Sequence, residues 1–289
     1  MKPFRKPFAL DPLFPFEIVH RDRKSSTSEL PDHLHDLFEL VYVHEGYGTF
    51  FIDNTFYEKR QGDLFLIPGN TIHRSFTDIE QPIVSTAVFF APAFVRMDEL
   101  GDGYVPFECF ESARKNKQFK LDLPETFGRQ FSSTLDEIAE ELKNRRKGFR
   151  QSVRLHLQSL LLGLNRLVSA ASDGNRDKSA GPKWLMDALR EIDDNPGQSG
   201  WLNSLAAKAC VSPHHFSRTF KKLTGMNVTD YVNAKRLVRA KELLRATDDN
   251  VESIAFACGF QSLPYFYRAF KSLTGMSPRA YRTEGSRSH

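Results

Sequence analysis

Cysteine is nearly absent from this 289-residue chain. The three present, Cys109, Cys210 and Cys258, are an odd count without the spacing of a disulfide framework or a zinc site. Two lie inside apolar helical patterns, so buried, reduced thiols in a cytoplasmic protein are expected. Tryptophan is rarer still, at two residues. No run approaches the ~20 apolar residues that a membrane helix needs, so no membrane partner is expected. The opening stretch, MKPFRKPFALDPLFPFEIVH, has no sustained apolar region and no small-residue cleavage site, which argues against a secretory signal. Nor does either charge dominate: 40 Lys and Arg stand against 36 Asp and Glu, for a net +4.

That balance hides an asymmetry. Residues 1–182 carry 24 basic and 26 acidic side chains, whereas residues 183–289 carry 16 and 10. A basic final third points toward a nucleic-acid partner. The length suits about two domains, each with its own core. Residues 16–90 alternate apolar and polar in short runs such as Phe38–Val43, Gly48–Ile52 and Asp63–Ile67, cut by Gly and Asn turns; this reads as a β-sandwich or small barrel. Two amphipathic helices follow, over about 124–144 and 149–171. Their stripes run Phe127, Phe131, Leu135, Ile138, Leu142 and Val153, Leu157, Leu160, Leu161, Leu164, Val168. This hairpin either packs on the barrel or pairs with its copy in a homodimer. Residues 173–183, polar and Gly-containing, read as a linker. Everything beyond reads as helical, so the fold class is α+β: a 1–123 sensing domain, the 124–172 hairpin, and an all-α domain over 184–285.

The helical part repeats itself. HFSRTFKKLTGM at 215–226 matches YFYRAFKSLTGM at 265–276, and LAAKAC at 205–210 matches IAFACG at 254–259. Each copy reads as helix, tight turn, helix. Ser212 and Ser262 are natural N-caps, Pro213 and Pro264 fit the first turn, and Gly225 and Gly275 suit a left-handed cap. A long helix through YVNAKRLVRAKELL would hold the two units at fixed separation. In each copy the second helix turns Phe216 and Phe220, or Phe266 and Phe270, inward. His214, Ser217, Arg218, Lys221 and Lys222 remain outward in the first copy, and Tyr267, Arg268 and Lys271 in the second. One helix fills a DNA major groove; Arg forks onto guanine and Lys neutralises phosphate.

These residues carry a resemblance. A-x5-S-P-x2-F-x-R-x-F-K-K-x-T-G-M over 206–226, R-L-x2-A-K-x-L-L over 236–244 and I-A-x3-G-F over 254–260 resemble the DNA-binding domain of the AraC/XylS family of bacterial transcription regulators. The resemblance implies two helix-turn-helix units, 202–223 and 251–273, entering adjacent major-groove segments of promoter DNA. Base-reading positions then fall on His214, Ser217 and Arg218, and on Leu263, Pro264, Tyr267 and Arg268. Ser212, His215, Lys221, Lys222, Ser262 and Lys271 complete the candidate DNA contacts. Leu263-Pro264 departs from residues often polar in the family, so the second copy either reads thymine methyls or mostly meets phosphate. The resemblance further implies an activator rather than a repressor, with RNA polymerase as a partner.

The strand region holds H-x-H-x3-E at 33–39 and G-x5-P-x4-H at 62–73. Antiparallel strands would bring His33, His35, Glu39 and His73 toward one barrel mouth. Three imidazoles and a carboxylate suit a divalent transition metal, or they hydrogen-bond a polar molecule, or they are structural. The pattern resembles the cupin barrel, the jelly roll that also serves as the sensor of many AraC-family proteins. There it implies a small effector, plausibly a sugar, bound without metal, and no enzymatic activity. The competing expectation is a metal-dependent cupin enzyme fused to a DNA-binding module. A third is a constitutive DNA-binding protein whose barrel only dimerises.

Overall fold

The computed structural model describes residues 4–5, 8–24, 33–77, 82–97, 100–170 and 182–286. Among these residues lie ten strands: β1 Phe4–Arg5, β2 Phe16–Lys24, β3 His33–Leu34, β4 Phe38–Glu45, β5 Gly48–Ile52, β6 Thr55–Lys59, β7 Leu64–Ile67, β8 His73–Thr77, β9 Ile83–Phe90 and β10 Lys120–Leu121. Helices α1 Glu108–Asn116, α2 Glu125–Asn144 and α3 Phe149–Ala170 belong with them. Then come α4 Lys183–Asp194, α5 Trp201–Lys208, α6 Pro213–Thr224, α7 Val228–Ala246, α8 Val251–Ala257, α9 Leu263–Thr274 and α10 Pro278–Ser286. The chain divides into two compact units, Pro7–Leu30 with His35–Ala180, and Met1–Lys6 with Pro31–Leu34 and Gly181–His289.

In the first unit, one sheet orders β10-β7-β4-β9-β2 and faces the antiparallel strands β8-β5-β6. The pleat sends alternate residues to opposite faces. Glu39, Val41 and Val43 on β4 therefore share the inner face with Ile67 and Phe65 on β7 and with Phe89, Ala87 and Ser85 on β9. Phe50 on β5 closes the core against Phe65, ring centroids 5.1 Å apart. The outer face of the larger sheet carries Phe38, Tyr42 and Phe90, and the helices cover it: Phe38 stacks on Phe107 at 4.9 Å, Phe90 meets Phe110 and Tyr42 meets Phe131. Helices α2 and α3 bury Phe131, Leu135 and Ile138 against Val153, Leu157, Leu161 and Leu164 in the same core. Of the alternatives left open for the hairpin, packing within the chain thus occupies its apolar stripes. Between β9 and α2 lie α1 and β10.

The second unit builds the repeat almost bond for bond. Ser212 Oγ accepts from His215 N at 3.2 Å and Ser262 Oγ from Tyr265 N at 3.4 Å, capping α6 and α9. Gly225 and Gly275, at φ +87° and +81°, end them in the left-handed region. Thr224 and Thr274 hydroxyls each donate back to the carbonyl four residues earlier, Phe220 and Phe270, at 2.8 Å. The one-residue difference between copies falls in the turn after α5 and α8. There Cys210 takes φ +54° where the second copy has Gly259 at +87°. That conformation turns the Cys210 side chain outward. It is exposed, correcting the expectation of buried thiols, whereas Cys109 and Cys258 are buried. The expected linker lies mostly outside the described residues.

Candidate nucleic-acid interface and barrel interior

In α6 the apolar positions recur every four residues, and Phe216 and Phe220 are fully buried beside Trp184 and Tyr231. The opposite side of the helix is therefore turned to solvent. It presents Ser212, His214, His215, Arg218, Lys221 and Lys222, all exposed, with Ser217 half-buried. In α9, Phe266 and Phe270 are buried in the same way, the latter against Tyr281 at 5.5 Å. Ser262, Pro264, Arg268 and Lys271 are exposed, and Leu263 and Tyr267 half-buried.

The helix α7 joins the copies through a buried stripe of Tyr231, Ala234, Leu237, Ala240 and Leu244. Its basic residues are largely engaged within the fold. Arg236 donates to the carbonyls of Pro196 and Gln198, both at 2.7 Å, and Lys235 pairs with Asp193 at 2.5 Å. Lys241 is buried over the Tyr281 ring. Lys208 pairs with Glu191 at 2.6 Å, and Arg282 reaches the carbonyls of Leu244 and Asp249. Part of the basic excess is thus structural. What remains for an anionic partner includes the exposed cationic side chains of α6 and α9, which can meet phosphates and base edges. Asp193 and Asp194 sit at the end of α4, with Asp193 held by Lys235.

Inside the barrel the structure brings His35, Glu39 and His73 together. His35 Nε2 and His73 Nε2 lie 2.9 and 3.0 Å from the same oxygen, Glu39 Oε2, and all three side chains are buried. The far ring nitrogens sit on backbone carbonyls, Nδ1 of His35 on Leu37 at 3.0 Å and Nδ1 of His73 on Thr71 at 2.9 Å. Those carbonyls only accept, so each Nδ1 donates and each Nε2 faces the carboxylate. Burial alone would push Glu39 up. The charge of His73 and the hydrogen bonds from both rings more than reverse it, holding the carboxyl well below its usual range. His35 is shifted down by burial. Phe8 and Phe89 wall the His35 ring at 5.4 and 5.5 Å. Asn70 adopts φ +65°, a conformation asparagine tolerates, and its N–H donates to the His35 carbonyl at 2.6 Å. His33 is buried in β3, in the short segment grouped with the second unit. His35, Glu39 and His73 are donors that could hold a divalent metal; equally, they can exchange hydrogen bonds with hydroxyl groups.

Three further polar groups of this unit escape a reading by motif. Lys59 is fully buried at the end of β6, a place visible only as an inward step of the T-F-Y-E-K alternation. His44 is buried on the outer sheet face, its Nε2 2.8 Å from Thr86 Oγ1. Asp136 on α2 accepts two hydrogen bonds from Arg21, both at 2.9 Å, and lies 2.7 Å from His20 Nε2. The Arg21 guanidinium holds that carboxyl at about 2. Nothing in local sequence couples residue 21 to residue 136.

A tandem helix-turn-helix with cationic outer faces, in a chain that also holds a barrel with a buried polar interior, defines a ligand-responsive DNA-binding transcription regulator. Comparison with known proteins agrees. Residues 16–164 match the family model of the AraC-like ligand binding domain, and residues 205–284 match that of a helix-turn-helix domain. The chain belongs to the AraC family of transcription regulators. It is 25% identical over 267 residues to the HTH-type transcriptional activator RhaS of Pectobacterium atrosepticum, covering 90% of each chain. It is 24% identical over 253 residues to the activator RhaR of Salmonella dublin, covering 87% and 86%. Among solved structures, ToxT from Vibrio cholerae aligns over 93% of this chain and 97% of its own at 12% identity and a TM-score of 0.38. The DNA-binding domain of AdpA, solved with a target DNA, aligns over 36% and 93% at 28% identity and a TM-score of 0.34. The chain is a DNA-binding transcription regulator of the family to which RhaS and RhaR also belong. Among the described residues no helix is long and apolar enough to cross a membrane.

Proposed function

We propose that this chain is an effector-responsive transcriptional activator working in the cytoplasm as a homodimer. Residues 1–123 would sense a small polar molecule of the sugar class, the 124–172 hairpin would pair with its copy through the side that its packing in the chain leaves outward, 173–183 would link, and 184–285 would bind promoter DNA and present a surface to RNA polymerase. The observation that carries the reading is the repeated exposed cationic helix, with Arg218, Lys221 and Lys222 in one copy and Arg268 and Lys271 in the other. Arg218 takes a base edge; Lys221, Lys222 and Lys271 take phosphates. Pro264 and Leu263 at the start of α9 offer only apolar contact, suited to a thymine methyl. His35, Glu39 and His73 would exchange hydrogen bonds with the effector's hydroxyls. By linkage, DNA and effector change each other's binding by the same factor.

The test is a salt-titrated binding assay of the full chain on its own upstream DNA and on a scrambled control. Arg218→Ala is expected to lose ~1–3 kcal/mol of preference for the native DNA, while Lys221→Ala weakens binding to both and lowers the salt slope by about one. Equal loss on both DNAs for Arg218→Ala would reduce the tandem unit to an electrostatic tether. Sedimentation of the same protein checks the dimer.

A further inference from the structure

The turn between α2 and α3 carries a basic run that the fold does not use. Lys143, Arg145, Arg146 and Lys147 stand within five residues, and all four are exposed. Backbone hydrogen bonds shape the turn. Arg145, at φ +48°, donates its N–H to the Glu141 carbonyl at 2.9 Å, and Phe149 N donates to the Arg146 carbonyl at 2.9 Å. Gly148 follows at φ +88°, and a Cβ there would meet no atom within 4 Å, so the space around the turn is open. Among the described residues, no ion pair or side-chain hydrogen bond engages any of the four cations. The exposed acid one turn back, Glu140, accepts instead from Asn144 at 2.7 Å. The next arginines along α3 are committed inside the unit: Arg150 pairs with Asp11 at 2.8 Å, and Arg154 donates to the Arg96 carbonyl at 2.7 Å.

Local electrostatics accounts for only part of the run. Lys143 lies in the last turn of α2, where a cation faces the negative helix end. Arg146 and Lys147 stand just before α3, whose first turn holds no acid. A helix N-terminus favours anions, and cations placed there oppose its dipole. Four like charges in one turn also repel one another. Nothing among the described residues offsets that cost, and a bound polyanion would remove it.

We infer that this turn is a second, sequence-independent DNA contact, in which Lys143, Arg145, Arg146 and Lys147 meet phosphates flanking the site read by α6 and α9. The inference rests on the tandem unit holding DNA and extends that reading to the sensing unit. The composition of the turn favours DNA over a protein partner. It exposes cations, an asparagine and a glycine, with no apolar anchor of the kind that dominates protein interfaces. Phosphates require only the charge. Because both units belong to one chain, DNA held by α6 and α9 is offered to the turn at a raised effective concentration, so a few phosphate contacts add to affinity. The turn is the end of the hairpin, which leaves its outward side for the proposed pairing with a second copy.

The experiment is a fluorescence-anisotropy titration of the full chain across a salt series. One duplex is the upstream segment that the chain protects from cleavage, cut to about 20 base pairs, or two helical turns. The other carries two further turns of scrambled sequence on each side. Wild type is expected to bind the long duplex about tenfold tighter or more, with a log–log salt slope steeper by up to ~3–4, at roughly 0.9 for each phosphate neutralised. The variant Lys143→Gln/Arg145→Asn/Arg146→Gln/Lys147→Gln should lose both gains and keep the short-duplex affinity and the melting temperature; asparagine tolerates the left-handed backbone at 145. Lys143→Arg/Arg146→Lys/Lys147→Arg keeps the charge and should keep both gains. Arg23→Gln/Lys115→Gln removes exposed charge elsewhere on the unit and should change neither. The same response to duplex length in wild type and in the charge-removed variant would overturn the inference and leave a solvated turn. A matching loss in Arg23→Gln/Lys115→Gln would overturn it too, reducing the effect to the general field of the unit. Unchanged DNA binding with reduced transcription by purified RNA polymerase would overturn it in favour of the polymerase. Failure of the regulator reading would show separately, as a short duplex bound no better than its scrambled copy in the Arg218→Ala assay.

Discussion

Acidifying the protein from pH 7 to pH 4.5 charges His44 in the unfolded chain but not in the folded one. The imidazole is buried between strand β4 and helix α2, its ring edge-on to Tyr42 at 5.0 Å, with Nε2 at Thr86 Oγ1 and Nδ1 at Ser132 Oγ. Burial lowers its pKa from 6.5 to about 4, and the nearby charges of Arg21 and His20 press in the same direction against the opposing pull of Asp136. The folded pKa is below the unfolded one, so between the two values the unfolded chain binds the extra proton. Stability is then lost as pH falls from 6.5 toward 4 and does not recover below it. With about 1.4 kcal/mol for each tenfold of proton affinity, the full loss is roughly 3 kcal/mol, most of it incurred by about pH 4.5. Asp136 does not confuse the window. Its carboxyl, held at about 2, loses its stabilising charge only below the ordinary carboxylate range, and it is too exposed for a large effect. Histidine NMR of the full chain reads the His44 pKa directly, and urea unfolding at pH 7 and 4.5 reads the stability. Both tryptophans lie in the DNA-binding unit, so unfolding of the barrel needs a non-tryptophan probe such as circular dichroism. His44→Gln keeps a side-chain nitrogen for Thr86 and cannot titrate; it should reduce the pH slope, leaving the share of His35, which burial also shifts down. A His44 signal titrating near 6.5, or an unchanged slope in His44→Gln, would refute the reasoning.

Other outcomes follow from the packing and the donor sets. Phe220→Ala empties a fully buried position beneath α6, and by the usual cost of such truncations should destabilise the DNA-binding unit by ~3–5 kcal/mol, read by the fluorescence of Trp184 and Trp201. Gly259→Ala is expected to cost at least ~1 kcal/mol, because the residue sits at φ +87° and the added methyl would lie 2.4 Å from the Gly197 carbonyl oxygen; the matching Cys210→Gly change in the first copy should be neutral or stabilising. Purified protein is expected to hold less than about a tenth of an equivalent of transition metal and to keep its melting temperature and DNA affinity on chelation. Stoichiometric zinc or iron on His35, Glu39 and His73 would instead revive the metal reading of the barrel.

The amino-acid sequence by itself determined the local elements and the DNA-binding faces. Ser212, Gly225, Ser262 and Gly275 mark the ends of α6 and α9 because capping is chemistry within four residues of the chain. The four-residue recurrence of Phe216 with Phe220, and of Phe266 with Phe270, decides which side of each helix remains for Arg218 and Arg268. His35 and Glu39 are equally legible, four residues apart at the head of a strand, and His73 by its spacing after a turn. Tertiary structure decided what depends on partners far along the chain. It committed Lys235, Arg236, Lys208 and Lys241 to internal carbonyls, carboxylates and rings, so that charge counted in the sequence is not charge available to DNA. It tied Arg21 to Asp136 across 115 residues and buried His44 beneath a helix. It also buried Lys59 at the end of β6, with its Nζ donating to Ser75 Oγ on β8. The physical reason is range. A cap or an amphipathic stripe acts within one turn of backbone, whereas the solvation of a lysine or histidine depends on which distant surface folding brings against it.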